Sequence, residues 1–229
     1  MTMVSIAARF AEVRGQLREA EIAAGRPPGS VQLLAVSKTK PAADLAAAYR
    51  LGQRHFGENY LQEALQKQQQ LAAFDISWHF IGPIQSNKTR PIAAHFAWVH
   101  SVDRFKIAER LNEQRPDYLP PLNICLQVNI SGETTKSGVG LAELPALVEQ
   151  VAQLPRLRLR GVMAIPEPAM EFETQRLPYR RLYQAATALN RPQMDTFSFG
   201  MSGDLLAAVT EGATLVRIGT ALFGARPSQ

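Results

Sequence analysis

The feature that most constrains the fold of this chain is the alternation of short apolar runs with longer amphipathic stretches along its 229 residues. Eight runs have the length and composition of buried strands, namely 31–37, 55–57, 77–82, 97–102, 122–130, 157–165, 196–201 and 215–219. Helices are predicted between them at 42–51, 60–71, 88–95, 104–112, 141–154, 173–189 and 205–211. A further amphipathic helix is predicted over 4–24, before the first strand.

Eight strands separated by helices predict an α/β fold, a single (β/α)8 TIM barrel with an extra N-terminal helix. An open doubly wound sheet is the competing architecture, but no Gly-x-Gly-x-x-Gly motif follows the first strand. Neither a linker nor a repeat interrupts the pattern. We therefore expect one domain that covers 1–229.

Composition and charge limit the cellular setting and the partners. The single cysteine, Cys125, excludes an internal disulfide and lies in an apolar run, where we expect an inert core thiol. No apolar stretch approaches the ~20 residues of a membrane span, and the charged N-terminal segment does not resemble a signal peptide. We expect a cytoplasmic protein without membrane partners. The net charge of +5 is scattered, so a nucleic-acid binder is a remote alternative and a small phosphorylated ligand is compatible.

Lys38 is the first candidate site residue, because it closes the buried run 31–37. In a TIM barrel the functional site lies at the C-terminal ends of the strands. Desolvation favours the neutral, nucleophilic form of an amine, so a lysine at such an end is suited to a Schiff base. The alternative is a lysine that extends into solvent where the strand ends.

The last two strand ends have the features of a phosphate site. Gly200, Met201, Ser202 and Gly203 join a strand to a helix that begins near Asp204, and Gly219-Thr220 follows the next strand. Small residues allow backbone amides to approach an anion, and barrels often bind phosphate with these two loops. Ordinary turn glycines with a serine helix cap remain the alternative.

Arg217 interrupts a strand that should be buried on both faces, so its guanidinium needs an acceptor. A structural ion pair with a carboxylate is one explanation. The other is a ligand: a lysine for an aldehyde, a phosphate loop and an inward arginine at one barrel mouth together fit pyridoxal phosphate.

Several blocks of this sequence, in order along nearly the whole chain, resemble the pyridoxal phosphate homeostasis protein family, which is similar to the N-terminal barrel of alanine racemase. The blocks are Val36-Ser37-Lys38, Phe56 to Asn59, His79 to Gly82 with Gln85 to Lys88, Val128 to Glu133 with Lys136 and Gly138, Gly200 to Ser202, and Val216 to Gly219 with Phe223 to Arg226. Phe199 and Pro83-Ile84 depart from the usual residues, in positions where apolar packing is expected.

The resemblance implies pyridoxal 5'-phosphate as the cofactor and no metal. The implied cofactor-binding residues are Lys38, Asn59, Met201, Ser202, Gly203, Arg217, Gly219 and Thr220. Lys38 would form the Schiff base, Ser202 with the neighbouring loops would hold the phosphate, and Arg217 would meet the ring nitrogen. His79 is interpreted as a hydrogen-bonded core histidine, and Lys136 and Lys88 as solvated lysines, although Lys136 is also a candidate for contact with the ligand.

The resemblance also implies a role in cofactor homeostasis, by buffering or delivery, that affects the balance of amino and keto acids. A racemase or another pyridoxal phosphate-dependent enzyme is the alternative. We expect poor catalysis, because the chain ends without the second domain from which alanine racemases supply a tyrosine base, and because Arg217 would weaken the ring as an electron sink. We expect a monomer, with pyridoxal phosphate-requiring enzymes as one candidate class of acceptor.

Overall fold

The computed structural model describes residues 4–132 and 137–225, and its centre is a closed barrel of parallel strands. The strands are β1 (Gln32–Val36), β2 (His55–Glu58), β3 (Ser77–Phe80), β4 (Trp98–Val102), β5 (Leu122–Asn129), β6 (Val139–Gly140), β7 (Leu157–Met163), β8 (Thr196–Ser198) and β9 (Leu215–Ile218). Their order around the barrel is β1-β2-β3-β4-β5-β7-β8-β9, and β9 pairs with β1 to close it. The two-residue β6 pairs with the end of β5 outside this ring. The predicted TIM barrel is confirmed.

Helices follow the strands around the outside of the barrel. They are α1 (Ile6–Ala23), α2 (Ala42–Arg50), α3 (Leu61–Gln70), α4 (Thr89–His95), α5 (Phe105–Gln114), α6 (Leu144–Val151), α7 (Phe172–Thr187), α8 (Leu205–Thr210) and α9 (Thr220–Phe223), with a 3-10 turn at Ser86–Lys88. The extra helix α1 begins at an N-cap, since the Ser5 side chain accepts a hydrogen bond from the Ala8 amide. It buries Phe10, Val13 and Leu17 and packs against α2, α8 and α9. Within the described ranges, no helix is both long and apolar enough to span a bilayer.

The core consists of apolar side chains between the strands and the surrounding helices. Phe56, Leu34 and Ile124 are fully buried on the strands, and Tyr179 on α7 stacks against Phe199. Cys125 belongs to this core, and burial raises the pKa of its thiol to about 12, so the thiolate is not available at neutral pH. The interpretation of Cys125 as a core thiol is therefore confirmed.

Several strands are shorter than the sequence pattern predicts, and two of them, β8 and β3, end early at the barrel mouth. The prediction for β8 extended to Met201, but the strand ends at Ser198 because Gly200 has a φ of 87°, which ordinary strand backbone does not adopt. The prediction for β3 extended to Gly82, whereas the strand ends at Phe80. The residues released from these strands form part of the barrel mouth.

Candidate functional site

The predicted site residues lie on four strands that are neighbours in the barrel, β2, β1, β9 and β8. Lys38 follows β1 and Asn59 follows β2, while the loop 200–203 follows β8 and Gly219 follows β9. Because all strands are parallel, these ends meet at the same edge of the barrel. The fold therefore brings the predicted residues to one half of the barrel mouth.

Lys38 is half-buried, and its amine forms no hydrogen bond or ion pair with any residue of 4–132 or 137–225. The preceding Ser37 is fully buried, and its hydroxyl donates to Glu58 Oε1 over 2.6 Å. The following Thr39 has a φ of 64°, which is unusual for a β-branched residue. The amine is thus free, whereas the backbone on both sides of it is held in place.

An ionic cluster of Glu58, Glu63 and Lys67 supports this segment. Lys67 Nζ lies 2.7 Å from Glu58 Oε1 and 2.5 Å from Glu63 Oε1, and it donates to the Ser37 carbonyl oxygen over 2.7 Å. Glu63 Oε1 also accepts the Thr39 amide at 2.5 Å. The cluster therefore contacts the backbone on both sides of Lys38 and accounts for the strained conformation of Thr39.

Glu58 is the most buried member of this cluster, with no exposed surface. Burial raises the pKa of its carboxyl group, and the attraction and hydrogen bond of Lys67 only partly oppose that effect. Its Oε2 atom is buried without a hydrogen-bond partner among the described residues. Sequence reasoning placed Glu58 in a motif but assigned it no role, and it missed Glu63 and Lys67. Their spacing of four on one helix was the available signal.

Asn59 presents an acceptor without a partner. Its Oδ1 atom is buried and has no hydrogen bond within the part of the chain that the structure describes. The β2 and β3 ends approach so closely here that a Cβ atom on Gly82 would lie 2.2 Å from the Asn59 carbonyl oxygen. Glycine at position 82 therefore permits the contact that holds Asn59, and a bound ligand is the natural partner for its side chain.

Arg217 lies inside the barrel with 5% of its surface exposed. Its Nη1 donates to the carbonyl oxygen and the hydroxyl of Ser198, the latter over 2.8 Å, and its Nη2 donates to the Ala164 carbonyl oxygen over 3.0 Å. These bonds use three of the five N–H groups of a guanidinium. The described residues provide no carboxylate ion pair for it, so the structural ion pair considered above is not observed there. Two N–H groups remain for a ligand.

His79, interpreted as a core histidine, has no exposed surface and is hydrogen-bonded to other histidines. His55 lies on one side of it, and on the other side His100 contacts Ser198, which in turn contacts Arg217. The interpretation of His79 is confirmed, but sequence reasoning missed His55, His100 and Ser198. Each lies in an apolar run, and the sequence does not indicate which strands face one another across the barrel.

The loop 200–203 is held by contacts on its inner side, whereas residues 201–203 are exposed at the barrel mouth. A Cβ atom on Gly200 would lie 2.5 Å from the Ala208 side chain, so this position needs glycine for its space as well as for its φ. The Met201 amide donates to Asp204 Oδ1 over 2.7 Å, and the Tyr179 hydroxyl donates to Asp204 Oδ2 over 2.6 Å. The Met201 amide is therefore already engaged, whereas Ser202 and Gly203 are exposed at the mouth.

The β9 end lies against the β1 end. A Cβ atom on Gly219 would be 3.2 Å from the Val36 carbonyl oxygen, and the Arg217 amide donates to the Gly200 carbonyl oxygen over 3.0 Å. Thr220 is exposed at the start of α9. These contacts join the backbone next to Lys38, the predicted phosphate loop and Arg217 into one neighbourhood. Lys136 lies outside the described residues.

A cavity of about 420 Å³ adjoins the loop after β8. Its lining residues are Pro166, Glu167, Pro168, Ala169, Met170, Gln175, Met201, Gly203 and Asp204. Half of the barrel mouth therefore carries a free amine, an unpartnered amide oxygen, a buried cation with spare donors and an exposed loop of small residues. This set is suited to an anionic ligand that contains a carbonyl group.

Comparison with known proteins identifies close relatives. Residues 10–227 match the family described as alanine racemase, N-terminal domain. The chain is 64% identical over 224 residues to the pyridoxal phosphate homeostasis protein of Pseudomonas aeruginosa, which covers 98% of this chain and 97% of that protein. It is 53% identical over 229 residues to the protein of the same name in Escherichia coli strain K12, with 98% of each covered.

Several solved structures have the same fold as this chain. PipY of Synechococcus elongatus, in a structure with pyridoxal phosphate bound, matches with a TM-score of 0.84 and 40% identity over 96% of this chain and 100% of that one. The structure of PipY without the cofactor matches with a TM-score of 0.86. An alanine racemase from Corynebacterium glutamicum has the same fold, with a TM-score of 0.65 at 20% identity, but this chain covers 61% of it.

Proposed function

Since this chain belongs to the pyridoxal phosphate homeostasis protein family, we propose that it binds pyridoxal 5'-phosphate reversibly and buffers or delivers the cofactor inside the cell. Through that role it affects the balance of amino and keto acids. The family relationship supports the cofactor, and the arrangement of this chain's own residues supports the mode of binding. Acceptor enzymes that require the cofactor are the partners this role calls for.

The residues at the barrel mouth fit the cofactor group by group. Arg217 carries the proposal: it is buried, it has two spare N–H groups, and it is held by neutral oxygen atoms. We assign its spare donors to the pyridine nitrogen. The Asn59 side-chain oxygen, which is buried without a hydrogen-bond partner in the described ranges, borders the ring region in this assignment. Ser202, Gly203, Gly219 and Thr220 hold the phosphate, with the Met201 backbone nearby.

The cofactor, when bound, supplies an aldehyde that condenses with primary amines. Lys38 provides such an amine, which has no partner among the residues that the structure describes and is fixed through its neighbours Ser37 and Thr39. A positioned lysine that competes with free amino acids for the same aldehyde gives reversible retention. This is the property that a buffer or a donor of the cofactor requires.

The alternative function is an amino-acid racemase or another pyridoxal phosphate-dependent enzyme. Arginine donates hydrogen bonds only and keeps its proton, so Arg217 leaves a ring nitrogen unprotonated and the ring a weak electron sink. Racemisation also needs proton donors and acceptors on both faces of the substrate. Among the described residues at this mouth Lys38 is the evident base, which favours the carrier function.

The decisive experiment is a titration of the purified protein with pyridoxal phosphate, followed by borohydride reduction and peptide mass mapping. We expect stoichiometric binding, a label on Lys38 and loss of the label in Lys38→Ala, with Lys88→Ala as a control that removes a lysine elsewhere. A label confined to Lys88 or Lys136 would contradict the assignment. Chiral chromatography after incubation with alanine, serine or glutamate separates the two functions. Turnover near ~10 per second, a typical enzyme value, that depends on Lys38 would favour the racemase.

A further inference from the structure

Three histidines form a row across the interior of the barrel and end at Arg217. His55 Nδ1 lies 3.1 Å from His79 Nε2, and His79 Nδ1 lies 2.9 Å from His100 Nε2. His100 Nδ1 lies 2.8 Å from the Ser198 hydroxyl, which accepts from Arg217 Nη1 over 2.8 Å. We call His55, His79 and His100 the histidine row. It connects strands β2, β3 and β4 with β8 and β9 on the opposite side of the barrel.

Arg217 and Ser198 together set the direction of the hydrogen bonds in this row. A guanidinium only donates, so the Ser198 oxygen accepts from Arg217, and among the described residues His100 Nδ1 is the acceptor within hydrogen-bond distance of the Ser198 hydroxyl proton. His100 must then carry its proton on Nε2 and donate it to His79 Nδ1. By the same reasoning His79 donates from Nε2 to His55 Nδ1. All three rings are therefore neutral and have the Nε2–H tautomer.

The surroundings of the row favour neutral rings. His79 and His100 have no exposed surface, and Trp98 stacks on His79 with an interplanar angle of 7°. Burial and the nearby Arg217 lower the pKa of His100 to about 3, and burial lowers the pKa of His79 and His55. On the side of His79 that faces His55, the Ser77 hydroxyl lies 3.5 Å from His79 Nε2. Arg217 is the charged group at the near end.

We infer that Ser198 and His100 are positioning residues for Arg217, and that the histidine row fixes the hydrogen-bond direction on which their action depends. The inference rests on the proposed function only where it concerns the ring of the cofactor. Ser198 and the Ala164 carbonyl fix three guanidinium N–H groups and thereby aim the remaining two. The row does not deliver protons to a ligand, because Arg217 at its end does not give up its own.

The first test needs no cofactor. Nitrogen-15 NMR of the full chain distinguishes the two neutral tautomers of histidine from the imidazolium form. We expect His79 and His100 to have the Nε2–H tautomer at neutral pH and to keep it on acidification to about pH 5. His95, which is exposed on α4, is the internal reference. An Nδ1–H tautomer at His100, or protonation of His79 or His100 above pH 5, would overturn the inference.

The second test measures positioning. Ser198→Ala removes the link between Arg217 and His100, whereas Ser198→Thr keeps a hydroxyl. We expect Ser198→Ala to weaken pyridoxal phosphate binding about tenfold, consistent with one lost hydrogen bond to a charged group, and to change the absorbance of the bound cofactor with pH. Ser198→Thr should restore both, and His95→Gln is the matched histidine control. Circular dichroism verifies folding of each variant.

The outcomes separate the inference from the proposed function. If the wild-type protein does not bind pyridoxal phosphate, the proposed function fails, and the tautomers still test the row independently. If the wild type binds and a folded Ser198→Ala variant has the same affinity and the same spectrum at every pH, the positioning role is overturned. A structural role alone would change stability but leave the spectrum of the bound cofactor unchanged.

Discussion

On the β1–β2 side of the barrel mouth, the segment around Lys38 is held by the charged side chains of the ionic cluster, whereas on the β8–β9 side Arg217 is held by neutral groups. The ionic cluster combines two carboxylates with one ammonium group, all close to the backbone next to Lys38. Arg217 has a hydroxyl and carbonyl oxygens as partners and a row of neutral imidazoles behind them. One side thus depends on balanced charge and the other on the direction of hydrogen bonds.

This difference has a chemical reason. The lysine that meets an aldehyde must be able to lose its proton, so charges fix its backbone while its amine stays free. The arginine must keep its proton and its orientation, so neutral acceptors hold it without competing with a ligand as a carboxylate would. Mutations on the two sides should therefore change the free energy of unfolding by different amounts, and acid should change the contributions of the two sides in opposite directions.

The largest effect is expected from Lys67→Met on the charged side. Lys67 and Glu58 have 6% and 0% of their side-chain surface exposed, so removal of the ammonium group leaves a buried carboxylate without its cation. Breaking a buried pair in this way costs about 3–5 kcal/mol of the free energy of unfolding. Urea denaturation measures the loss. The double variant Lys67→Met with Glu58→Gln should recover much of it, and a loss below ~1 kcal/mol in the single variant would mean that the cluster is not a balanced charge system.

The next effect is a loss of stability in acid that originates on the neutral side. The folded protein holds the pKa of His100 at about 3, below the ordinary value of 6.5, so the unfolded chain binds the proton first. Stability is therefore full above pH 6.5 and falls as the pH drops toward 3. Between about pH 6.5 and pH 5, the titration of His100 alone should lower the free energy of unfolding by roughly 2 kcal/mol.

Denaturation curves at a series of pH values test this directly. His100→Gln removes the titrating group, so its stability should decline less steeply between pH 6.5 and pH 5 than that of the wild type. His95→Gln, on exposed surface, is the matched control. Equal slopes for the wild type and His100→Gln would exclude His100 as a source of the acid sensitivity.

Glu58→Gln should have a smaller effect, with the opposite dependence on pH. The folded state raises the pKa of Glu58, so the folded protein binds the proton first and the contribution of this group is lost as the pH rises through the folded pKa. The variant lacks the buried charge, and Lys67 keeps Glu63 and the Ser37 carbonyl as partners. We expect the free energy of unfolding of Glu58→Gln to differ from that of the wild type by no more than about 1 kcal/mol at neutral pH, and by less in acid. A large loss at neutral pH that persists in acid would contradict this view of Glu58.

The barrel, the candidate site residues and the residues that hold them in place differ in how far the sequence predicts them. The barrel was predictable because each strand is a local apolar run, and the grouping of the candidate site residues at the barrel mouth was predictable because the ends of parallel strands meet at one edge. The residues that hold these site residues in place, namely the ionic cluster, Ser198 and the histidine row, were not predictable, since their roles depend on contacts between distant residues. His100 and Ser198, for example, are 98 positions apart. A polar residue in an apolar run signals that a partner exists, but the closed barrel determines which one.

The smallest effect on stability, and the sharpest contrast with the supporting residues, is expected from Lys38→Ala. The Lys38 side chain is half-buried and makes no ion pair or hydrogen bond within the described ranges, so its removal should change the free energy of unfolding by no more than about 0.5 kcal/mol. The same variant should lose borohydride-trappable pyridoxal phosphate entirely. Denaturation and trapping on one preparation measure both quantities. If Lys38→Ala were as destabilising as Lys67→Met, Lys38 would itself be a supporting residue, because a side chain kept free for a ligand contributes little to folding.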